Sequence, residues 1–189
     1  MRAFSGALGV LALCLVAALL ALWPARPALA PLRIGGDFRL IHESGEALDT
    51  NVAFADRPML VYFGYTYCPD VCPTTLLDMV VASEATAVDE ALIFVSLDPE
   101  RDTPAVLRDY TDLFSPALEG FTGGAEALET VTAQWAIYSA RHDSEAFSEY
   151  LLDHTTLVFL TDARHRVVEV FKSGTSAADM TATIAARFD

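Results

Sequence analysis

With 189 residues and a formal net charge of −14, the chain is long enough for one domain with a full hydrophobic core and too short for two comfortable ones. Residues 1–30 hold Arg2 and Arg26 and no acid, so the remainder carries −16 (−14 less those two positive charges), and a surface that acidic repels phosphate backbones and anionic lipid heads. Nucleic acid is thereby excluded as a partner class, whereas a cation or a basic protein patch is compatible with scattered, solvated acids.

After Met1 and Arg2 comes FSGALGVLALCLVAALLALW, about twenty uncharged residues, near the length that crosses about 30 Å of hydrocarbon as a helix. Residues 1–23 read as a membrane anchor or signal segment. The ALA at 28–30 has the form of a peptidase site, but Pro31 follows it directly and the apolar run is long for a leader. A retained single-pass anchor is the preferred reading, with Arg2 on the short side placing the domain on the exported, periplasmic face. The alternative is a cleaved leader and a soluble periplasmic domain. Cys14, inside the run after Leu13, reads as a membrane-buried thiol without a role. Residues 24–35, rich in Pro and Ala, form a tether, and the domain occupies 36–189.

Within the domain, FRLIHESGEALD at 38–49 alternates around a Ser-Gly-Glu turn, a hairpin signal, and MLVYFGY at 59–65 is an apolar run expected of a strand buried on both faces. A helix follows from near Pro73 through TTLLDMVVASEATAV, then a strand at 91–98, a helix at 103–114 with Pro104 in its first turn, and a helix at 124–138. TTLVFLTD at 155–162 and VVEVF at 167–171 pair around the ARHR turn, and a last helix begins near Ser176. This order predicts an α/β domain of the thioredoxin-like type with an N-terminal β-hairpin extension.

Cys68 and Cys72 lie between the buried strand and the helix. Proline fits a helix only in its first turn, so Cys72 falls near the N-cap and Cys68 in the preceding loop, both sulfurs facing the positive end of the helix dipole. That environment favours thiolate. Thiolates attack disulfides, reduce peroxides or bind soft metals. Thiol-disulfide enzymes of this fold usually carry two residues between the cysteines, and here there are three, PDV. The wider spacing still permits a disulfide, so a structural staple, a redox pair and a metal clamp all stay open at this point.

A metal reading requires a third ligand from four histidines. His42, His142 and His165 read as exposed and without a role. His154 precedes the buried strand LVFL, which in a thioredoxin-type sheet lies beside the cysteine motif; taken alone it reads more readily as a strand-end residue than as a ligand. Two sulfurs and one imidazole make an open site rather than a closed structural zinc site, and soft thiolates favour Cu(I). The DPERD loop around Asp98, Arg101 and Asp102 reads as a turn and helix start held by Asp–Arg pairing, with Asp102 or Thr103 as cap, in preference to a docking surface. Tyr65 and Tyr67 read as packing residues.

Taken together, these motifs resemble the Sco family of copper chaperones for cytochrome c oxidase assembly. The resemblance spans residues 36 to about 174 and rests on YFGYTYCPDVCPTTL, SLDPERDTP at 96–104, FTG at 121–123 and DHTTLVFL at 153–160, in chain order. It implies that Cys68, Cys72 and His154 bind copper as Cu(I) and Cu(II), and that Asp153 shapes or hydrogen-bonds the histidine. It also implies thiols that can oxidise to a disulfide, and as partners the copper-receiving subunit of the oxidase, other copper chaperones or thiol reductants. Two departures, ADRPML lacking the usual Gly-Lys and Phe121 in place of a leucine, touch no ligand. The reading is a metallochaperone and not a turnover enzyme; the alternative is a thiol-disulfide oxidoreductase using Cys68 and Cys72 as its redox pair. A peroxidase-like member of the fold fits least, since nothing marks a single dominant nucleophile.

Overall fold

The hairpin expected at 38–49 is present as β1 (Arg39–His42) and β2 (Ala47–Asp49), antiparallel with Leu40 opposite Leu48. Gly45 supplies the positive φ its turn requires. The structure, a computed structural model, describes residues 34–143 and 149–188. The expected membrane segment at 1–23, Cys14 and nearly all of the tether lie outside those residues. No helix among the described residues is long and apolar enough to cross a membrane.

A single turn, α1 (Thr50–Ala53), follows β2, with the Asp49 carboxylate accepting from the Asn51 N–H at its start. Then come β3 (Met59–Gly64), α2 (Val71–Glu84), β4 (Ala91–Ser96), α3 (Pro104–Thr111), β5 (Leu118–Thr122) and α4 (Ala125–Gln134). A short ribbon, β6 (Ser139–His142) and β7 (Leu151–His154), precedes the second hairpin, β8 (Val158–Thr161) and β9 (Val167–Phe171), and α5 (Ala177–Phe188) closes the chain. Seven strands form one sheet in the order β2-β1-β5-β4-β3-β8-β9. β3, β4 and β5 run parallel through helical crossovers, while β8 returns antiparallel to β3.

Every residue of β3 and β4 is buried, which is why both read as unbroken apolar runs. The period of two sends Leu60 and Tyr62 to one face, where they meet Leu76 and Met79 of α2, Leu107 of α3 and Ile184 of α5. Met59, Val61 and Phe63 go to the other, against Phe38, Trp135, Phe159 and Val131 of α4. The parallel strands are thus sandwiched between two apolar layers, and their C-terminal ends open where β3 hands over to α2.

Besides the single turn α1, β5 and the β6–β7 ribbon had no expectation. β5, LEGFT, carries Glu119 and Gly120 in mid-strand and so lacks an apolar run. The glycine is required because a Cβ there would lie 2.7 Å from Glu43 Oε2 and 3.1 Å from Leu107 Cβ; the Gly120 N–H instead donates to Glu43 Oε2 at 2.7 Å. The β6–β7 ribbon, SARH and LLDH, has no periodic pattern.

Just before β4, Glu90 is 5% exposed, and both of its carboxylate oxygens are buried without a hydrogen-bond partner. Burial holds this carboxyl above the usual carboxylate range, and the nearby Ser83 and Thr86 hydroxyls, which lie outside hydrogen-bonding geometry, only partly oppose it. A group raised in this way stabilises the fold fully below its unfolded-state value, about 4.3, and that contribution is lost as pH rises through the folded-state value. Glu90→Gln is therefore expected to raise Tm at pH 7 and to give no advantage at pH 4, as thermal unfolding at the two pH values will show. Equal melting at pH 7 would mean that the ionised group is solvated after all.

Candidate metal centre

β3 ends at Gly64, and the six residues from Tyr65 to Asp70 turn the chain into α2. The helix starts at Val71, two residues before Pro73, so Cys72 sits within the first turn and not at its cap. Proline is accommodated there because first-turn N–H groups have no intrahelical acceptor. The loop is pinned by Asp102, fully buried, whose carboxylate accepts from Thr66 N–H (3.0 Å), Thr66 Oγ1 (2.6 Å) and Ser96 Oγ (2.5 Å). Burial raises this carboxyl above its ordinary range against the pull of those hydrogen bonds. The cap of α3 is Thr103, whose hydroxyl accepts from Val106 N–H, which leaves Asp102 free for the loop. The expected Asp98–Arg101 pairing is present at 2.5 Å.

Cys68 and Cys72 are free thiols, Cys72 fully buried and Cys68 8% exposed. His154, the last residue of β7, brings its Nε2 to 3.6 Å from Cys72 Sγ, although 82 positions separate them in sequence. Its Nδ1 lies 2.9 Å from the Thr155 carbonyl oxygen. A carbonyl only accepts, so Nδ1 carries the proton and the Nε2 lone pair faces the sulfurs. One atom from each of Cys68, Cys72 and His154 lies within 4.8 Å of the other two. Metal bonds of about 2.3 Å to sulfur and 2.0 Å to nitrogen put donors roughly 3.7–4 Å apart in a trigonal site, so this cluster closes on an ion with shifts below an ångström.

The two thiols share their protons unequally. A hydrogen bond from Cys72 holds Cys68 well below the usual thiol range, with burial opposing. Cys72 is pushed up for the reciprocal reason, its bond to Cys68, and by burial. The metal-free pair is thus one thiolate and one thiol, and a metal bound by both sulfurs displaces the Cys72 proton. Tyr62 donates from its hydroxyl to Cys72 Sγ at 3.7 Å, and burial keeps that phenol protonated. The rings of Tyr62 and Tyr65 meet the imidazole edge to face, with centroids 6.2 and 5.8 Å away. Cys68 and His154 line an open cleft of about 350 Å³ with Pro69, Asp70 and Leu152. One flank of the cluster is therefore walled by aromatic core, and the other is open to exchange.

Four side chains depart from expectation. Asp153 does not hydrogen-bond His154; its carboxylate lies 3.5 Å from His142 Nδ1 across the ribbon, because successive strand residues point to opposite faces, and the Thr155 carbonyl takes the orienting role. His165 is 2% exposed, not on the surface: with φ at +55° it folds its ring beneath the N-terminal segment, Nδ1 against Asp37 and Nε2 3.2 Å from the Phe54 carbonyl. His42 is half-buried, 3.3 Å from Glu119, while His142 is exposed as expected. Tyr65 is buried packing, whereas Tyr67 is 37% exposed beneath Arg101.

One residue at the cluster was not foreseen. A Cβ on Gly64 would lie 2.7 Å from Cys72 Sγ, so the absence of a side chain there makes room for the sulfur. A glycine ending an otherwise unbroken apolar strand is the signal that marks such a close approach.

The family model described as SCO1/SenC matches residues 26–189. The chain is 40% identical over 139 residues to protein SenC of Rhodobacter capsulatus, covering 71% of this chain and 62% of that one. It is 35% identical over 153 residues to an SCO2-like protein of Rickettsia conorii, covering 79% and 74%. Among solved structures it is similar to Arabidopsis thaliana ScoI with copper bound (30% identity, TM-score 0.77, 81% of this chain and 96% of that one). It is also similar to Bradyrhizobium japonicum ScoI with copper bound (34% identity, TM-score 0.71, 82% and 99%). The mixed α/β sheet is thus that of the thioredoxin-like Sco structures. A match over nearly the whole domain, joined to cysteines at the head of α2 and a histidine folded onto them, places the chain in the SCO1/SenC family.

Proposed function

We propose that this chain is a membrane-anchored copper metallochaperone that holds Cu(I) or Cu(II) through Cys68, Cys72 and His154 and serves assembly of the dinuclear copper site of cytochrome c oxidase. The observation that carries this reading is the convergence of two thiols and one correctly oriented imidazole nitrogen within 4.8 Å. Two sulfurs and a nitrogen in an open arrangement suit a soft, low-coordinate ion. The cleft beside Cys68 leaves a path for handing it on. The apolar segment at 1–23 would hold the domain at the membrane on the exported side, with 24–35 as tether. The partner in this reading is the copper-receiving subunit of the oxidase, with other copper chaperones or thiol reductants upstream.

The test is titration of the purified, reduced chain with Cu(II), followed by thiolate-to-copper charge transfer in the visible. One equivalent is expected to saturate the band. Because a proton leaves Cys72 on binding, apparent affinity is expected to rise about tenfold per pH unit around neutrality; a flat profile would remove Cys72 from the ligand set. A second reading, thiol-disulfide oxidoreductase, is favoured by the thiolate–thiol split, which makes Cys68 a nucleophile facing the cleft. Disulfide reduction by the metal-free chain, with no copper retained, would put that reading first.

A further inference from the structure

The ribbon that carries His154 pairs with no strand of the main sheet among the described residues; β6 and β7 bond to each other. Something other than a backbone ladder must therefore set where the imidazole stands relative to the sulfurs. Leu152 packs on the core from the middle of β7. Among the described residues, most of the other ties converge on the loop after β4 and on one of its side chains, Arg101.

Arg101 Nη1 donates to the Tyr150 carbonyl at 2.9 Å, and its Nε donates to Asp98 Oδ2 at 2.5 Å. The guanidinium lies 3.6 Å from the centroid of the Tyr150 ring, and Tyr150 donates its hydroxyl to Asp98 Oδ1 at 2.6 Å. Arg141 of β6 covers the same ring, also at 3.6 Å, and reaches Glu100 at 3.6 Å. Both strands of the ribbon are thus fastened to the 98–101 loop. The same guanidinium also lies 4.9 Å from the Tyr67 ring and 5.8 Å from the Tyr65 ring, in the loop that carries Cys68. One cation touches both halves of the cluster, the thiol loop and the imidazole ribbon.

We propose that Arg101, held by Asp98 and clasping Tyr150, is a positioning latch that keeps the β6–β7 ribbon closed and His154 within bonding range of the two thiols. The inference deepens the copper reading and rests on it. The planar fork, with several donors in fixed directions and a face for stacking, is what makes arginine suited to joining a carboxylate, a carbonyl and aromatic rings at once. Opening the latch would release the nitrogen ligand while leaving both sulfurs in place, which turns a three-donor site into a two-donor one.

The test compares wild type, Arg101→Ala and Tyr150→Phe in the full chain, the last keeping the Arg101–Asp98 pair should the alanine variant fold poorly. In the metal-free state, amide exchange of Leu151–His154 is expected to quicken about ten- to a hundredfold in Arg101→Ala, the loss expected for charge-assisted hydrogen bonds, and several-fold in Tyr150→Phe, with β3 and β4 unchanged. In the Cu(II) state, Arg101→Ala is expected to lose imidazole-nitrogen coupling in the electron paramagnetic resonance spectrum while keeping thiolate charge transfer. Unchanged exchange in the ribbon, or equal quickening in ribbon and core, would overturn the latch. Wild-type protein that takes up no copper would instead overturn the copper reading, and the exchange data would still decide whether the ribbon is latched.

Discussion

His154→Ala is expected to lower copper retention by more than about a hundredfold while leaving the fold intact. Partners that merely orient a metal ligand are worth about ten- to a hundredfold in affinity, so deleting a ligand must exceed that range. The ring is half-buried at the end of a ribbon outside the main sheet, and its contacts with Tyr62 and Tyr65 are edge contacts, so its loss removes about 1 kcal/mol of packing. Cys72→Ala and Cys68→Ala are expected to match it in copper retention, and also to abolish or shift the sulfur charge-transfer band. His142→Ala is the control. That imidazole is exposed and pairs with Asp153, outside the three-donor cluster, and its removal is expected to leave retention unchanged. Competition against a chelator reads all four variants. Full retention in His154→Ala would reduce the site to a dithiol and move the weight to thiol exchange.

The features of this site that were legible in the sequence are those written in local pattern. β3 and β4 announce themselves as apolar runs because both faces are covered, and Pro73 marks the start of α2 to within two residues because proline tolerates few helical positions. Cys68 and Cys72 follow from that placement. His154 was a different case: its chain position allowed a ligand or a strand-end residue, and the resemblance to the Sco family chose between them. The geometry that makes it a credible ligand, a ring oriented by the next residue's carbonyl, is a backbone contact that no residue identity encodes. Asp153 misled for the same reason, since a carboxylate next in sequence is not next in space on a strand. The ribbon itself was invisible, for SARH and LLDH are held by Arg101 and Tyr150, 49 positions apart, and not by an alternating pattern. His165 looked like a turn residue and is one, yet its left-handed backbone sends the ring inward to Asp37, a contact spanning 128 positions.

Gly64→Ala carries the sharpest expectation about why the sulfur sits where it does. The added methyl carbon would stand 2.7 Å from Cys72 Sγ, 3.0 Å from Phe94 Cε2 and 3.3 Å from Tyr62 Cε1, against about 3.5–4.0 Å for an unstrained carbon contact. Backbone φ is not the obstacle, since Gly64 lies in a strand and is absent from the positive-φ glycines. The conflict is one of space. Phe94 and Tyr62 are fully buried and stacked on each other, so neither ring can retreat. Cys72 has one side-chain torsion and sits in the first turn of α2, so the sulfur yields by moving toward the cleft or by dragging the helix start with it. Overpacking of this kind costs about 1–3 kcal/mol, which a domain of this size survives. A donor displaced by about an ångström no longer matches the other two, and copper retention is expected to fall more than tenfold with a shifted charge-transfer band. Gly124→Ala, at the N-cap of α4 with open space around its Cβ position, is expected to change neither. Wild-type retention and an unaltered band in Gly64→Ala would mean that Cys72 binds from another rotamer, and that the sulfur position seen against β3 is not the one that meets the metal.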